Sequence, residues 1–540
     1  MTEHLADLEA ARGAAALADA VVDAATRRLA ERGGPDENQQ LAYELAHAAA
    51  GVSIARCALD YGALGALEAR IACAFIADAV AELQARTYGR EATFGVEQGW
   101  ADPARGFLAV ARDPSFLGAL AEAPGPSHLD EDFTLVAETF HRFAAEQIRP
   151  RAEHVHRTNG DIPEALIEGL AELGGFGLSV PEAYGGFASG GEHDYLGMVV
   201  ATEELTWGSL GIGGSLITRP EILTRALVNG GTEAQRERWL PALASGEVLA
   251  AVAVTEPDFG SDVAGITTTA TRVEGGYVVN GTKTWCTFAA RANVLMLLAR
   301  TDPDRSLGHR GLSLLLVEKP VGDGHGFRFD QPARDARGAG RLEGRPIDTI
   351  GYRGMHSYEL SFEDWFVPEE CLVGGEAGLG KGFYLQMAGF ENGRIQTAAR
   401  AIGLMQAAYD AALDYARGRK VFGTEILDYE LTRSKLGRMV VIIQCARQYT
   451  YEVARLMARG EGSLEASMAK AYVCRAAEWV TREALQIHGG MGYAEEYAVS
   501  RYFVDARVLS IFEGADETLC LKVIARRLAE RGAASVSSSG

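Results

Sequence analysis

Gly275-Gly276-Tyr277-Val278-Val279-Asn280-Gly281-Thr282-Lys283-Thr284-Trp285 sets Asn-Gly between two strand-like segments, the pattern of a β-hairpin. Around it, from Leu249 to Val317, the apolar runs are short and β-branched, and strand-like sequence reappears from Leu360 to Phe366. The flanks read as helix. Leu5 to Arg86 carries alanine, leucine and charged residues at helical spacing, broken by Gly33-Gly34-Pro35 and by Gly62 and Gly65. Pro103, Pro114, Pro124, Gly125 and Pro126 mark a connection, after which Asp130 to Arg151, Pro163 to Leu173 and Glu221 to Leu243 are helical again. Beyond Gly380, Ile395, Ala398, Ala399, Ile402 and Met405 form one apolar stripe, and Leu431 to Arg459 is a further helical stretch. The expected class is α+β, mostly α. Its expected parts are a helical N-terminal extension and linker (1–125), a helical domain (126–250), a middle β domain (251–373), a C-terminal helical bundle (374–531) and a disordered tail (532–540).

A chain of 540 residues with net charge −21 is large enough for several domains and repels nucleic acid and anionic membranes outside any local basic pocket. No apolar run reaches the ~20 residues of a membrane span. The start, Met1-Thr2-Glu3-His4-Leu5-Ala6-Asp7, lacks the cationic and apolar parts of a signal peptide, so the expected location is cytoplasmic, without membrane insertion. Seven scattered cysteines show no C-x-x-C spacing, which predicts free thiols. His154-x-His156 lacks a third ligand and reads as surface histidines, so no metal is expected.

Several motifs can carry chemistry. Ile511-Phe512-Glu513-Gly514 holds one carboxylate in an apolar stretch beside a glycine, the partly desolvated setting a general base needs. Thr255-Glu256-Pro257-Asp258-Phe259-Gly260-Ser261-Asp262 offers hydroxyls and a tight turn whose amides can face a flat polar ring or a phosphate. Trp285 and Thr287 would alternate onto one strand face, one indole and one hydroxyl toward a cofactor, although a core tryptophan is the plainer reading. Gly375 to Gly382 approaches a phosphate-cradling loop, but Gly382 stands where a magnesium-binding hydroxyl is required.

Read together, Thr255-Glu-Pro-x-x-Gly-Ser-Asp262, Trp285-Cys-Thr287, Arg419-Lys-Val-Phe422-Gly423, Gln486-Ile-His-Gly-Gly490 and Phe512-Glu513-Gly514 resemble the acyl-CoA dehydrogenase family in order and spacing, over roughly Asp130 to Arg531. The resemblance implies that family's architecture: an N-terminal helical domain, a middle β-barrel-like domain and a C-terminal four-helix bundle, here behind an extra helical extension. It also implies FAD, an acyl-CoA substrate, electron-transfer flavoprotein as acceptor, and a homodimer or homotetramer.

The implied roles follow residue by residue. Glu513 is the catalytic base. Val254, Thr255, Ser261, Trp285 and Thr287 contact the flavin and its ribityl chain, while Arg419, Phe422, Gln486, Gly489 and Gly490 reach the adenosine diphosphate, the arginine from a neighbouring subunit. Phe512, Gly514 and Ser261 belong to the substrate side. Arg394 is either a substrate contact or part of a structural ion pair. Phe390-Glu391-Asn-Gly-Arg394-Ile-Gln-Thr-Ala-Ala-Arg400, Gly351-Tyr-Arg-Gly-Met355 and the long extension narrow the implied reaction to (2S)-methylsuccinyl-CoA going to mesaconyl-CoA, as in the ethylmalonyl-CoA pathway. That acyl group ends in a carboxylate, for which Arg219 in Ser215-Leu-Ile-Thr218-Arg219-Pro220 is the candidate clamp; a surface helix residue is the alternative. Ala515 departs from the threonine many members carry, and Gly393 replaces the alternative glutamate base, leaving Glu513 as the base consistent with the family. Rival readings are a dehydrogenase of another short or branched acyl-CoA, an acyl-CoA oxidase, and a flavin- or CoA-binding protein without activity.

Overall fold

The structure, a computed structural model, describes residues 6–191, 193–322, 325–334 and 338–538. The chain divides into two compact units, one formed by residues 1–135 with 397–540 and the other by residues 136–396.

The first unit is helical. Helices α1 (Leu8–Glu31), α2 (Gln39–Gly62) and α3 (Ala66–Thr87) appear where the periodicity places them, broken at the predicted glycines. Asp7 caps α1 by accepting the Ala10 amide at 2.9 Å. Alanine dominates the buried stripe of α1, from Ala11 to Ala25, so its partners come close. At Gly62 a Cβ would lie 2.8 Å from Leu8 and 2.9 Å from Ala72, which is why the crossing needs glycine. The helical extension, 1–125, packs with the helices Glu430–Ala458 and Ser463–His488. The physical reason lies in α2 and α3, each apolar around much of its circumference and therefore in need of cover on more than one side. The connection after α3 is pinned to the same bundle: Tyr409 donates to the Ala121 carbonyl at 2.9 Å and Gln444 to those of Pro124 and Gly125. The last helix, Ala525–Ser538, covers most of the stretch read as a tail, and residues 539–540 lie outside the described residues.

The second unit sets helices beside an eight-stranded mixed sheet. Its strands are β1 (Ala250–Ala253), β2 (Thr269–Val273), β3 (Gly276–Thr287), β4 (Val294–Arg300), β5 (Leu312–Glu318), β6 (Phe327–Asp330), β7 (Arg341–Ile347) and β8 (Ser357–Pro368). They follow the order β1-β4-β2-β3-β8-β7-β6, with β5 added on β4. Every residue of β4 is buried, as expected of a strand covered on both faces.

The hairpin exists, but its turn is not at Asn-Gly. β2 and β3 are joined through Glu274 and Gly275, which has φ 75°, and β3 runs straight through Asn280-Gly281. Asn280 instead marks a bulge against β8: its side chain accepts the Asp364 amide at 2.9 Å and donates to the Asp364 carboxylate at 3.0 Å. Asn-Gly suits either device, because both need relaxed backbone torsions, and Gly281 uses a φ of 142°.

Candidate active site

The loop bearing Glu513 belongs to the first unit. The helix Ala498–Leu509 stops at Ser510, and the chain then places two successive residues at positive φ, Glu513 at 55° and Gly514 at 104°. For a glutamate that conformation costs about 1–2 kcal/mol, so the surroundings must impose it. They do so at several points. The Asp516 amide bonds back to the Ser510 carbonyl at 3.1 Å, closing the loop. Lys470, fully buried on the helix Ser463–His488, donates its ammonium to the Gly514 carbonyl. Ser510 donates to Glu478 at 2.5 Å. The buried Arg400 guanidinium sits 5.0 Å from the centre of the Phe512 ring, a cation–π contact under the loop. Glu513 is half-buried and its Oε2 is shielded from water, as a proton acceptor for a weak carbon acid requires. Arg400 and Lys470 were not singled out from the sequence as supports of this loop; a fully buried cation leaves no local signature beyond its presence in an apolar helix.

The residues assigned to the adenosine diphosphate lie on the same unit. Arg419 precedes a small two-stranded hairpin and Phe422 lies at its tip, at φ 52° and 96% exposed. Gln486, Gly489 and Gly490 are exposed where the helix Ser463–His488 ends, Gly489 with φ 60°. The two segments meet through Tyr415, four residues before Arg419, which stacks on His488 with ring centres 4.2 Å apart.

In the second unit the turn carrying Val254, Thr255 and Ser261 is fastened to β3. The Thr284 amide donates to the Thr255 carbonyl at 2.8 Å, which brings that turn beside Trp285. Beneath it lies a buried ion pair that the sequence reading missed. Lys283 Nζ donates to Glu256 Oε1 and to the Val254 carbonyl, each at 2.9 Å, while Glu256 also accepts the amides of Thr267 at 2.7 Å and Thr268 at 2.8 Å. Burial alone would raise the Glu256 carboxyl, but the Lys283 charge and these donors outweigh it and hold it at about 2.

Trp285 and Thr287 are not equivalent on one face. A second bulge in β3, between Lys283 and Cys286, gives Trp285 a φ of 57° and turns it outward at 55% exposure. Thr287 stays buried, its Oγ1 3.2 Å from Ser357 Oγ. In the second unit an exposed ring on constrained backbone at Trp285 and the hydroxyls of Thr255 and Ser261 suit a flat polar ring; in the first, an exposed ring at Phe422 and bare glycines at 489 and 490 suit a phosphate-bearing group.

Arg219 is buried, at 7% exposure, in the first turn of the helix Thr218–Gly230, which removes the surface alternative. That helix crosses the helix Gly382–Gly418 closely: a Cβ on Gly389 would lie 3.1 Å from Ile222. Arg394 is half-buried on the latter helix. Burial pushes the Cys286 thiol up to about 12, and the positive charges of Lys283 and Arg219 oppose the shift, so Arg219 is felt at β3. Glu221, also buried, lies 3.8 Å from Arg225.

His156, read as a surface residue, is buried, whereas His154 is exposed. All seven cysteines are free thiols. Among the described residues no helix is long and apolar enough to cross a membrane.

Three family profiles match in succession: acyl-CoA dehydrogenase N-terminal domain over residues 130–247, middle domain over 251–365 and C-terminal domain over 380–529. The chain belongs to the acyl-CoA dehydrogenase family. As an acyl-CoA dehydrogenase it is an oxidoreductase of a flavin-dependent family. It is 44% identical over 405 residues to a (2S)-methylsuccinyl-CoA dehydrogenase of Cereibacter sphaeroides, an alignment covering 75% of this chain and 71% of that one. Among solved structures it resembles a glutaryl-coenzyme A dehydrogenase in complex with glutaryl-CoA, with a TM-score of 0.66 and 29% identity over 74% of this chain and 95% of that one. It also matches a chain from work on the electron transferring flavoprotein of Acidaminococcus fermentans, with a TM-score of 0.66 and 30% identity over 75% of this chain and 98% of that one. The profiles of this acyl-CoA dehydrogenase begin at residue 130, so α1 to α3 lie outside them.

Proposed function

We propose that this acyl-CoA dehydrogenase oxidises (2S)-methylsuccinyl-CoA to mesaconyl-CoA with FAD and passes the electrons to electron-transfer flavoprotein. The observation that carries the chemistry is Glu513, held at positive φ on a braced loop with Oε2 shielded from water. The substrate reading is supported by the likeness to the Cereibacter sphaeroides enzyme and by the buried Arg219.

Val254, Thr255, Ser261, Trp285 and Thr287 would hold the flavin and ribityl portion of FAD, and Arg419, Phe422, Gln486, Gly489 and Gly490 its adenosine diphosphate, Arg419 serving a neighbouring subunit in a homodimer or homotetramer. When bound, FAD supplies the acceptor for the hydride leaving Cβ of the thioester. Glu513 removes the Cα proton. A thioester α-proton is far too weakly acidic for a solvated carboxylate, so the negative charge that develops on the thioester oxygen needs a donor, a role assigned to the Glu513 backbone N–H. Keeping water from Glu513 strengthens both interactions. Arg219 engages the distal carboxylate, which left without a partner would cost several kcal/mol to bury, and Phe512, Gly514, Ser261 and Arg394 complete the substrate side.

The test is a panel of methylsuccinyl-, butyryl-, isovaleryl- and glutaryl-CoA assayed with a dye acceptor and with oxygen. Preference for methylsuccinyl-CoA and reliance on the dye support the reading. Preference for a monocarboxylic acyl group would replace it with a short branched-chain dehydrogenase, and rapid turnover with oxygen alone would replace it with an oxidase.

A further inference from the structure

The loop of Glu513 ends in a residue that the N-terminal extension grips. Asp516 Oδ2 accepts the Tyr43 hydroxyl at 2.6 Å and lies 3.1 Å from His47 Nε2. Tyr43 and His47 stand one turn apart on α2, their rings edge to face with centres 4.7 Å apart. Cys520, one turn beyond Asp516, brings its Sγ to 3.5 Å from the same imidazole nitrogen. His47, Asp516 and Cys520 are all buried.

Chemistry fixes the protons in this cluster. A carboxylate only accepts, so the tyrosine and the imidazole Nε2 both donate to it. Burial would raise the Asp516 carboxyl, but the His47 and Tyr43 hydrogen bonds overcome this and lower it. Burial drives the Cys520 thiol well above its ordinary value, so beside the imidazole it stands as a protonated thiol.

Asp516 is three residues from Glu513, and its own amide closes the loop on Ser510. Fixing its carboxylate therefore fixes the C-terminal end of a segment held elsewhere by Lys470 on Gly514, Val508 on Phe512, Arg400 on the Phe512 ring and Glu478 on Ser510. We infer that Asp516 is a positioning residue for the base and that Tyr43 and His47 are its grip, so that α2, which the family profiles do not cover, is part of the catalytic apparatus. This rests on Glu513 being the base. A second attachment of the extension supplies a control. Asp36 pairs with Lys522 and, at 2.9 Å, with Arg526, holding the following helical turns without touching Asp516.

The experiment measures flavin reduction by methylsuccinyl-CoA in stopped flow, with KM, flavin content and Tm, for the full-length protein carrying Tyr43→Phe, His47→Leu, both together, His47→Gln, Asp36→Ala and Glu513→Gln. The double variant is expected to lose about 10- to 100-fold in reduction rate, the scale of a small misplacement of a reacting group. KM should stay within about twofold and flavin content unchanged, since the displaced group acts on the proton and not on binding. His47→Gln, which keeps a donor, should recover much of the rate, and Asp36→Ala should keep all of it. Tyr43→Phe removes a single hydroxyl, so it reports on the inference even where the double variant folds poorly, by a partial loss of rate at full flavin content. Unchanged rates in flavin-loaded Tyr43→Phe and His47→Leu, or an equal loss in Asp36→Ala, would overturn the inference. An active Glu513→Gln would instead overturn the assignment of the base, and the inference with it.

Discussion

Lys283 Nζ lies 2.9 Å from Glu256 Oε1 with both side chains buried, directly below the turn that carries Val254, Thr255 and Ser261. Removing one member strands the other charge in an apolar setting, which typically costs about 3–5 kcal/mol. Lys283→Met is expected to lower stability on that scale and to release flavin, measured by urea unfolding and by the ratio of flavin to protein absorbance. A variant of normal stability and full flavin content would show that the pair does not hold the turn.

The same pair sets an acid limit. Glu256 is held at about 2 against 4.5 in the unfolded chain, so between these values the unfolded state binds the extra proton. Its contribution is fully present above pH about 4.5 and is lost as pH falls toward about 2. Unfolding free energy followed across that window should fall more steeply in the wild type than in Glu256→Gln. Parallel slopes would contradict the assignment.

The extension and the bundle meet without space at Gly437, where a Cβ would fall 1.9 Å from the Leu117 carbonyl oxygen. Backbone must move to admit any side chain there. Gly437→Val is expected to destabilise by more than about 2 kcal/mol, within the range of severe overpacking. Near-wild-type thermal unfolding would show that this contact is loose in solution.

Much of the helical layout could be read from the sequence because its signal is local: apolar residues recur every turn and glycines or prolines fall at the breaks. The β domain was visible for the same reason, but the turn was misplaced, since Asn280-Gly281 serves a bulge as readily as a hairpin tip. Trp285 was found by pattern, yet its outward pose depends on an inserted residue that strict alternation does not foresee. Glu513 stood out through its motif, whereas its braces did not. Tyr43 and Asp516 are 473 residues apart and Lys283 and Glu256 are 27 apart, and only the folded chain makes them neighbours.

The proposed role of Arg219 is to separate substrates. In that role its loss would remove a charged hydrogen bond to a distal carboxylate, worth roughly 1.5–3 kcal/mol. Arg219→Met is expected to lower kcat/KM for methylsuccinyl-CoA by roughly 10- to 100-fold and to leave butyryl-CoA nearly unaffected. Equal losses on both would assign Arg219 to the fold alone.

The central claim is that Glu513 takes the Cα proton. Flavin reduction by methylsuccinyl-CoA, followed as bleaching of the yellow holoenzyme, tests it in wild type and Glu513→Gln. The account predicts full flavin content in both and a fall of about 10²- to 10⁴-fold in the reduction rate of the variant. A flavin-loaded Glu513→Gln that bleaches at the wild-type rate would contradict it.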